Sequence, residues 1–144
     1  MNYIPYKNIT ENEFIDIKSR LSFIEKISSP LMKTHGFTLS EKFREDVLAL
    51  DYVYEDNNFG GNIGVTFDEE ESSNIKKVFK FYILKAYDTD TQRFYKREKL
   101  DKLYSLEEVE NGFISLFERC IVIYDSWVKE ELTEFIDFPA IGNA

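Results

Sequence analysis

The chain has 144 residues, enough for one domain with a single buried core. Hydrophobic residues make up 43% and aromatics 16%, which excludes the low-hydrophobicity composition of a disordered chain. The formal net charge of −9 argues against a general nucleic-acid-binding surface, because carboxylates repel phosphate.

The charge is uneven. Residues 74–102 carry 9 basic and 4 acidic side chains, whereas 1–73 carry 7 and 14 and 103–144 carry 2 and 9. Such asymmetry marks either a binding face or a strand pair whose lysines and arginines offset acids on its neighbours. Apolar runs are short, as at Cys120–Tyr124, whereas a membrane-spanning helix needs about 18 apolar residues. The start, MNYIPYKNITENE, lacks the basic and apolar regions of a secretory signal. A lone cysteine, Cys120, permits no internal disulfide, so a cytoplasmic location is expected.

In chain order, Thr10-Glu11-Asn12-Glu13 has the T-x-x-E spacing of a capping box, in which hydroxyl and carboxylate each accept from the other residue's amide. Phe14, Ile17, Leu21, Ile24 and Ile27 follow at steps of three and four, predicting a buried helical stripe. The helix is expected over about 11–35, kinked or restarted near 29 because Pro30 lacks an amide hydrogen, and stopped by Gly36.

Strands follow at about 47–54, with Leu48, Leu50, Tyr52 and Tyr54 on one face, and at 62–68, with Ile63, Val65 and Phe67 on one face. Between them Glu55 to Gly61 reads as a loop of turn formers. Residues 76–87 are the strongest strand, with an apolar Phe79-Phe81-Ile83 face, and 92–99 is a possible fourth strand. Ser105-Leu106-Glu107-Glu108 is a second capping box. It opens a helix to about 132 with a stripe at Val109, Phe113, Leu116, Cys120, Ile123 and Trp127. A loose tail, 133–144, completes the chain, with Phe135 and Phe138 available to tack onto the core. The expected fold is α+β, one domain: an antiparallel meander of three to four strands with both helices on the same face.

Chemistry is sparse. His35 stands at a helix end and Cys120 on an apolar stripe, so neither reads as part of a nucleophile–base pair. One Cys and one His cannot make a structural zinc site, and the acids near Gly60 lack calcium-loop spacing. Asp51 and Asp68 lie on neighbouring strands, as a metal-dependent nuclease would want. There is no E-x-K, however, and the one D-x-K, Asp16-Ile17-Lys18, is helical. No cofactor, no metal and no catalytic residue is expected. The stretch DYVYEDNNFGGNIGVTFDEEE, Asp51 to Glu71, reads as an acidic, tyrosine-rich hairpin. The candidate partner-binding residues are Asp51, Tyr52, Tyr54, Glu55, Asp56, Asp68, Glu69, Glu70 and Glu71. Glu55-Asp56 and Glu69-Glu70-Glu71 follow strands of opposite direction, so two acidic rims at opposite ends are expected.

The capped helices at Thr10 and Ser105, the Lys33–Phe37 helix end with Gly36-Phe37, and the acidic hairpin at 51–71 give a layout that resembles the small immunity proteins of contact-dependent inhibition and other polymorphic toxin systems. The resemblance lies in layout and carries over no site residues. It implies a cytoplasmic, non-enzymatic protein that binds one cognate toxin, often a basic nuclease domain, and blocks its active site. The competing reading is a small scaffold or ligand-binding domain, and the basic segment 76–102 would suit an acidic partner instead.

Overall fold

The computed structural model describes residues 6–40, 47–56, 59–88, 93–99 and 102–129. Among them are two helices, α1 (Glu11–Thr34) and α2 (Leu106–Lys129), and six strands: β1 (Thr38–Leu39), β2 (Ala49–Asp56), β3 (Phe59–Phe67), β4 (Val78–Asp88), β5 (Arg93–Lys99) and β6 (Tyr104–Ser105). The architecture is α+β.

Both capping boxes form. The Glu13 amide donates to Thr10 Oγ1 at 3.1 Å, and the Thr10 amide donates to Glu13 Oε1 at 2.9 Å. At the head of α2 the same exchange joins Ser105 and Glu108, at 3.1 Å each way. α1 ends at Gly36, whose φ of 88° only glycine adopts freely. The amides of Gly36 and Phe37 return to the carbonyls of Lys33 and Met32, the paired closure of a Schellman motif, and Phe37 turns into the core.

α1 is not interrupted at 29 as the proline suggested; it runs through Pro30 as one helix. Pro30 deprives the Lys26 carbonyl of its donor, but Lys26 is exposed, so water can replace it. The buried stripe also differs from the expected one. Ile27 is 43% exposed, and its place is taken by Ser28, which is fully buried beside Tyr52. In α2 the stripe keeps Val109, Phe113 and Cys120, adds Phe117, Ile121 and Tyr124, and leaves Leu116 and Ile123 half-buried. The Trp127 and Tyr87 side chains and the tail with Phe135 and Phe138 lie outside the described residues.

The sheet is antiparallel in the order β1-β2-β3-β4-β5, with β6 paired to β4 beyond the end of β5. The expected fourth strand at 92–99 is β5, while β1 and β6, of two residues each, were not anticipated. Register places Leu50 opposite Val65, Val65 opposite Phe81, and Tyr52 opposite Ile63, which faces Ile83. This layer is the core, and both helices lie on it. The Tyr52 ring meets Phe117 of α2 edge-on at 5.5 Å, and its hydroxyl meets Ser28 of α1. The opposite face of the sheet bears no described helix.

Gly60 and Gly61 are not in the turn. They belong to β3, paired with Glu55 and Tyr54. At Gly61 the missing side chain is what matters: a Cβ there would overlap the Tyr124 ring of α2.

Candidate functional site

The proposed interface residues separate into three groups. The first is structural. Tyr52 is wholly buried, so it presents nothing to a partner. Its hydroxyl sits 2.6 Å from Ser28 Oγ and 3.1 Å from Ser29 Oγ. Strand parity decides this, because Tyr52 shares the face of Leu48 and Leu50. Tyr54 is half-buried on the same face, its ring 5.4 Å from Phe37 and 5.7 Å from Tyr124 and packed over Gly36. It too is a packing residue.

Asp51 lies on the other face, in a network of its own. Register sets Asp51 beside Gly64 and Gly64 beside Tyr82. Because Gly64 has no side chain, the Tyr82 ring crosses it, and the phenol donates to Asp51 Oδ1 at 2.5 Å. Asn62 Nδ2 donates to both carboxylate oxygens, at 3.1 and 3.0 Å. Burial, then the Asp51 charge, raises the Tyr82 phenol well above its usual range, so it stays a donor. These are charge-assisted bonds that stitch β2, β3 and β4 together across the open face. Gly64, within a strand and opposite a carboxylate, was the one sequence signal for this network.

The third group surrounds the β3–β4 turn. Asp68 pairs with Lys80 at 3.5 Å, its side chain only 11% exposed, and Oδ1 accepts from the Glu71 amide. Glu69 accepts from the Lys7 amide at 3.0 Å. Ser72, unremarked in the sequence, is the pin. It is buried, its hydroxyl donates to the Asp68 carbonyl at 2.6 Å and accepts from the Val78 amide at 3.0 Å, and its carbonyl accepts from Asn8. Only Glu70 and Glu71 of this set are exposed. Glu55 and Asp56 complete β2 at the opposite end of the β2–β3 hairpin, and their side chains lie outside the described residues.

Three lysines of the basic segment offset neighbouring acids. Lys80 serves Asp68, Lys77 lies 3.7 Å from Glu13, and Lys102 lies 3.1 Å from Glu108. Among the described residues, no group of three or more His, Cys, Asp or Glu could hold a metal ion. None of the described helices is long and apolar enough to cross a membrane. A hollow between α1 and β2, walled by Lys18, Leu21, Ser22, Glu25, Ala49 and Leu50, offers about 30 Å³, roughly one water.

Comparison of the chain with protein-family models, with curated proteins and with solved structures gave no match.

Proposed function

We propose that this chain is a non-enzymatic cytoplasmic binding protein, most concretely an immunity protein that neutralises a cognate, basic, nuclease-type bacterial toxin. The observation that supports this is the β3–β4 turn. Ser72, Asp68 and the Lys7 amide hold the backbone in place, and Glu70 and Glu71 project from it into solvent. Because the backbone of the turn is already held, a cation arriving at these two carboxylates orders side chains but not main chain, which lowers the ordering cost of binding. With a net charge of −9 behind it, the turn also draws a basic partner in and speeds the encounter.

The test is recovery of the tagged protein from a lysate of its source organism at low and moderate salt, followed by mass spectrometry. A stoichiometric basic partner, toxic when expressed alone and harmless when co-expressed with this chain, is expected. If co-expression leaves the toxicity unchanged, or no partner is retained at either salt, the reading is wrong.

A further inference from the structure

We propose that the outer seam between α1 and α2 is the surface that anchors the partner, and that it takes a basic amphipathic helix of that partner. The inference rests on the binding-protein reading and gives it a surface.

The two helices lie side by side and parallel. Arg20 of α1 donates through Nε to Glu110 of α2 at 2.8 Å, with a second bond through Nη2. About two helical turns further, Ser28 of α1 and Phe117 of α2 both reach Tyr52. From Arg20, steps of three and seven lead to Phe23 and Ile27; from Glu110, a step of four leads to Ile114. These positions continue the seam that the ion pair begins. Ile24, Ser28, Phe113 and Phe117 take the inward side, so Phe23, Ile27 and Ile114 are turned outward. They are 63%, 43% and 36% exposed. A single exposed apolar side chain, such as Ile75 on the β3–β4 turn, needs no partner. Three at adjoining positions across a two-helix seam form a patch.

The flanks define what fits. Asp16 borders the seam on α1, Glu107 and Glu118 border it on α2, and all three are exposed. Arg20 is already committed to Asp16 and Glu110. Lys26 lies beyond Phe23, on the flank away from α2. Asp16 is thus paired with Arg20, and the seam is an apolar strip whose acidic border is Glu107 and Glu118 on α2, complementary to a helix with apolar residues at every third and fourth position and Lys or Arg on the side that meets α2. By contrast, the β3–β4 turn interleaves its acids with Lys76, Lys77 and Lys80. The division of labour follows: the turn steers the approach, and the seam holds the bound partner.

The probe is a synthetic helix of about 15 residues with Leu at i, i+3, i+4 and i+7 and Lys at the flanking positions. Its control is a peptide of identical composition in shuffled order. Both are titrated into the isotope-labelled full chain at about 0.15 M salt, where surface charge is screened within a Debye length. The patterned peptide should bind at least about tenfold more tightly than the shuffled one, about 1.4 kcal/mol. Amide shifts should concentrate in 16–27 and 107–118. Phe23→Ser should weaken it by about tenfold with an unchanged circular dichroism spectrum, and Ile75→Ser should leave affinity as it was. Equal affinity for both peptides, shifts centred on 68–77 or on the open sheet face, or indifference to Phe23→Ser would overturn the proposal. So would a dimer in sedimentation that Phe23→Ser dissociates, since a second copy would then be the occupant. The two readings fail separately. A lysate partner still retained by the Phe23→Ser protein removes the seam alone. A seam that binds the patterned peptide when no lysate partner exists removes the toxin-neutralising reading alone.

Discussion

Ser28 of α1 and Tyr52 of β2 share a hydrogen bond of 2.6 Å within the core, where both residues are fully buried. A buried hydroxyl needs a partner, since an unpaired one costs about 1–3 kcal/mol; Ser28 has Tyr52, and Tyr52 also meets Ser29 Oγ at 3.1 Å. Ser28→Ala and Tyr52→Phe are each expected to lower unfolding free energy by about 1 kcal/mol or more. The double variant should lose less than the two single losses together. Urea unfolding of all four proteins measures the coupling, and strict additivity would show that the pair does not act as a unit.

Gly61 and Gly112 should respond to alanine with opposite signs. At Gly61 a Cβ meets the Tyr124 ring and the Leu84 carbonyl, so Gly61→Ala should cost about 1–3 kcal/mol as the helix is pushed off the sheet. At Gly112, inside α2, the nearest atom is Leu116 Cδ1 at 3.8 Å, so Gly112→Ala should stabilise by about 0.5–1 kcal/mol through helix propensity. Thermal melts of the two variants against the parent decide it.

The capping boxes give an acid-side pH dependence. The Thr10 amide holds Glu13, and the Ser105 amide and then Lys102 hold Glu108, below the usual carboxylate value of 4.5. A carboxylate whose pKa is depressed by folding contributes stability above its unfolded value and loses it as pH falls through its folded value. Stability should thus decline below about pH 4.5. The Glu13→Gln/Glu108→Gln protein keeps the capping geometry without the titration. It should show a shallower acid slope, read by denaturant midpoints across pH 3 to 6 (a range of about three units).

Cys120 is fully buried, and burial pushes its thiol up to about 12. A thiol rather than a thiolate, out of contact with solvent, should not react with a disulfide reagent at neutral pH while the protein is folded. Labelling is expected to follow unfolding, so its rate in denaturant should track the unfolded fraction. Immediate stoichiometric labelling of the native protein would contradict the packing of α2.

Charge reversal at the turn is best made at Glu70 and Glu71, both exposed. Glu69 holds the Lys7 amide, and its loss would disturb the fold as well. Glu70→Lys/Glu71→Lys should slow association with a basic partner and leave dissociation nearly unchanged, as steering charges do. Stopped-flow or surface-binding kinetics separates the two rates, and an unaltered association rate would remove the turn from the encounter.

Local signals were legible where their cause is local. The T-x-x-E and S-x-x-E spacings announced both helix starts, and Gly36 announced the end of α1. Alternation assigned the faces of β2, β3 and β4. What escaped depends on partners distant in sequence. Hydrophobicity alone chose Ile27 for the stripe, because the demand for a hydroxyl at Ser28 comes from Tyr52 on another element. Gly60-Gly61 has the composition of a turn, and only the Tyr124 ring explains why Gly61 sits in a strand. β1 and β6 are too short to show a period. Among the candidate interface residues, residue type marked Tyr52, Tyr54, Asp51 and Asp68 as interface, and packing assigned each an internal task. The exposed seam was hidden for the same reason: an apolar residue on a helix reads as core until a second helix shows which side is taken.

The long reach of the Arg20–Glu110 pair also bears on how the chain finds its fold. β2, β3, β4 and β5 pair as consecutive hairpins, each closed over ten residues or fewer, whereas Arg20 and Glu110 are 90 positions apart. Loop closure costs more as the loop grows, so the hairpins are favoured early and the helix–helix contact late. The expected transition state has an organised meander and an unjoined α1–α2 seam. Arg20→Ala should then speed unfolding and leave refolding nearly unchanged, a φ-value near zero, while Ile63→Val and Val65→Ala in the sheet should slow refolding. The surface proposed to hold a partner would thus be among the last parts of the molecule to assemble and the first to part.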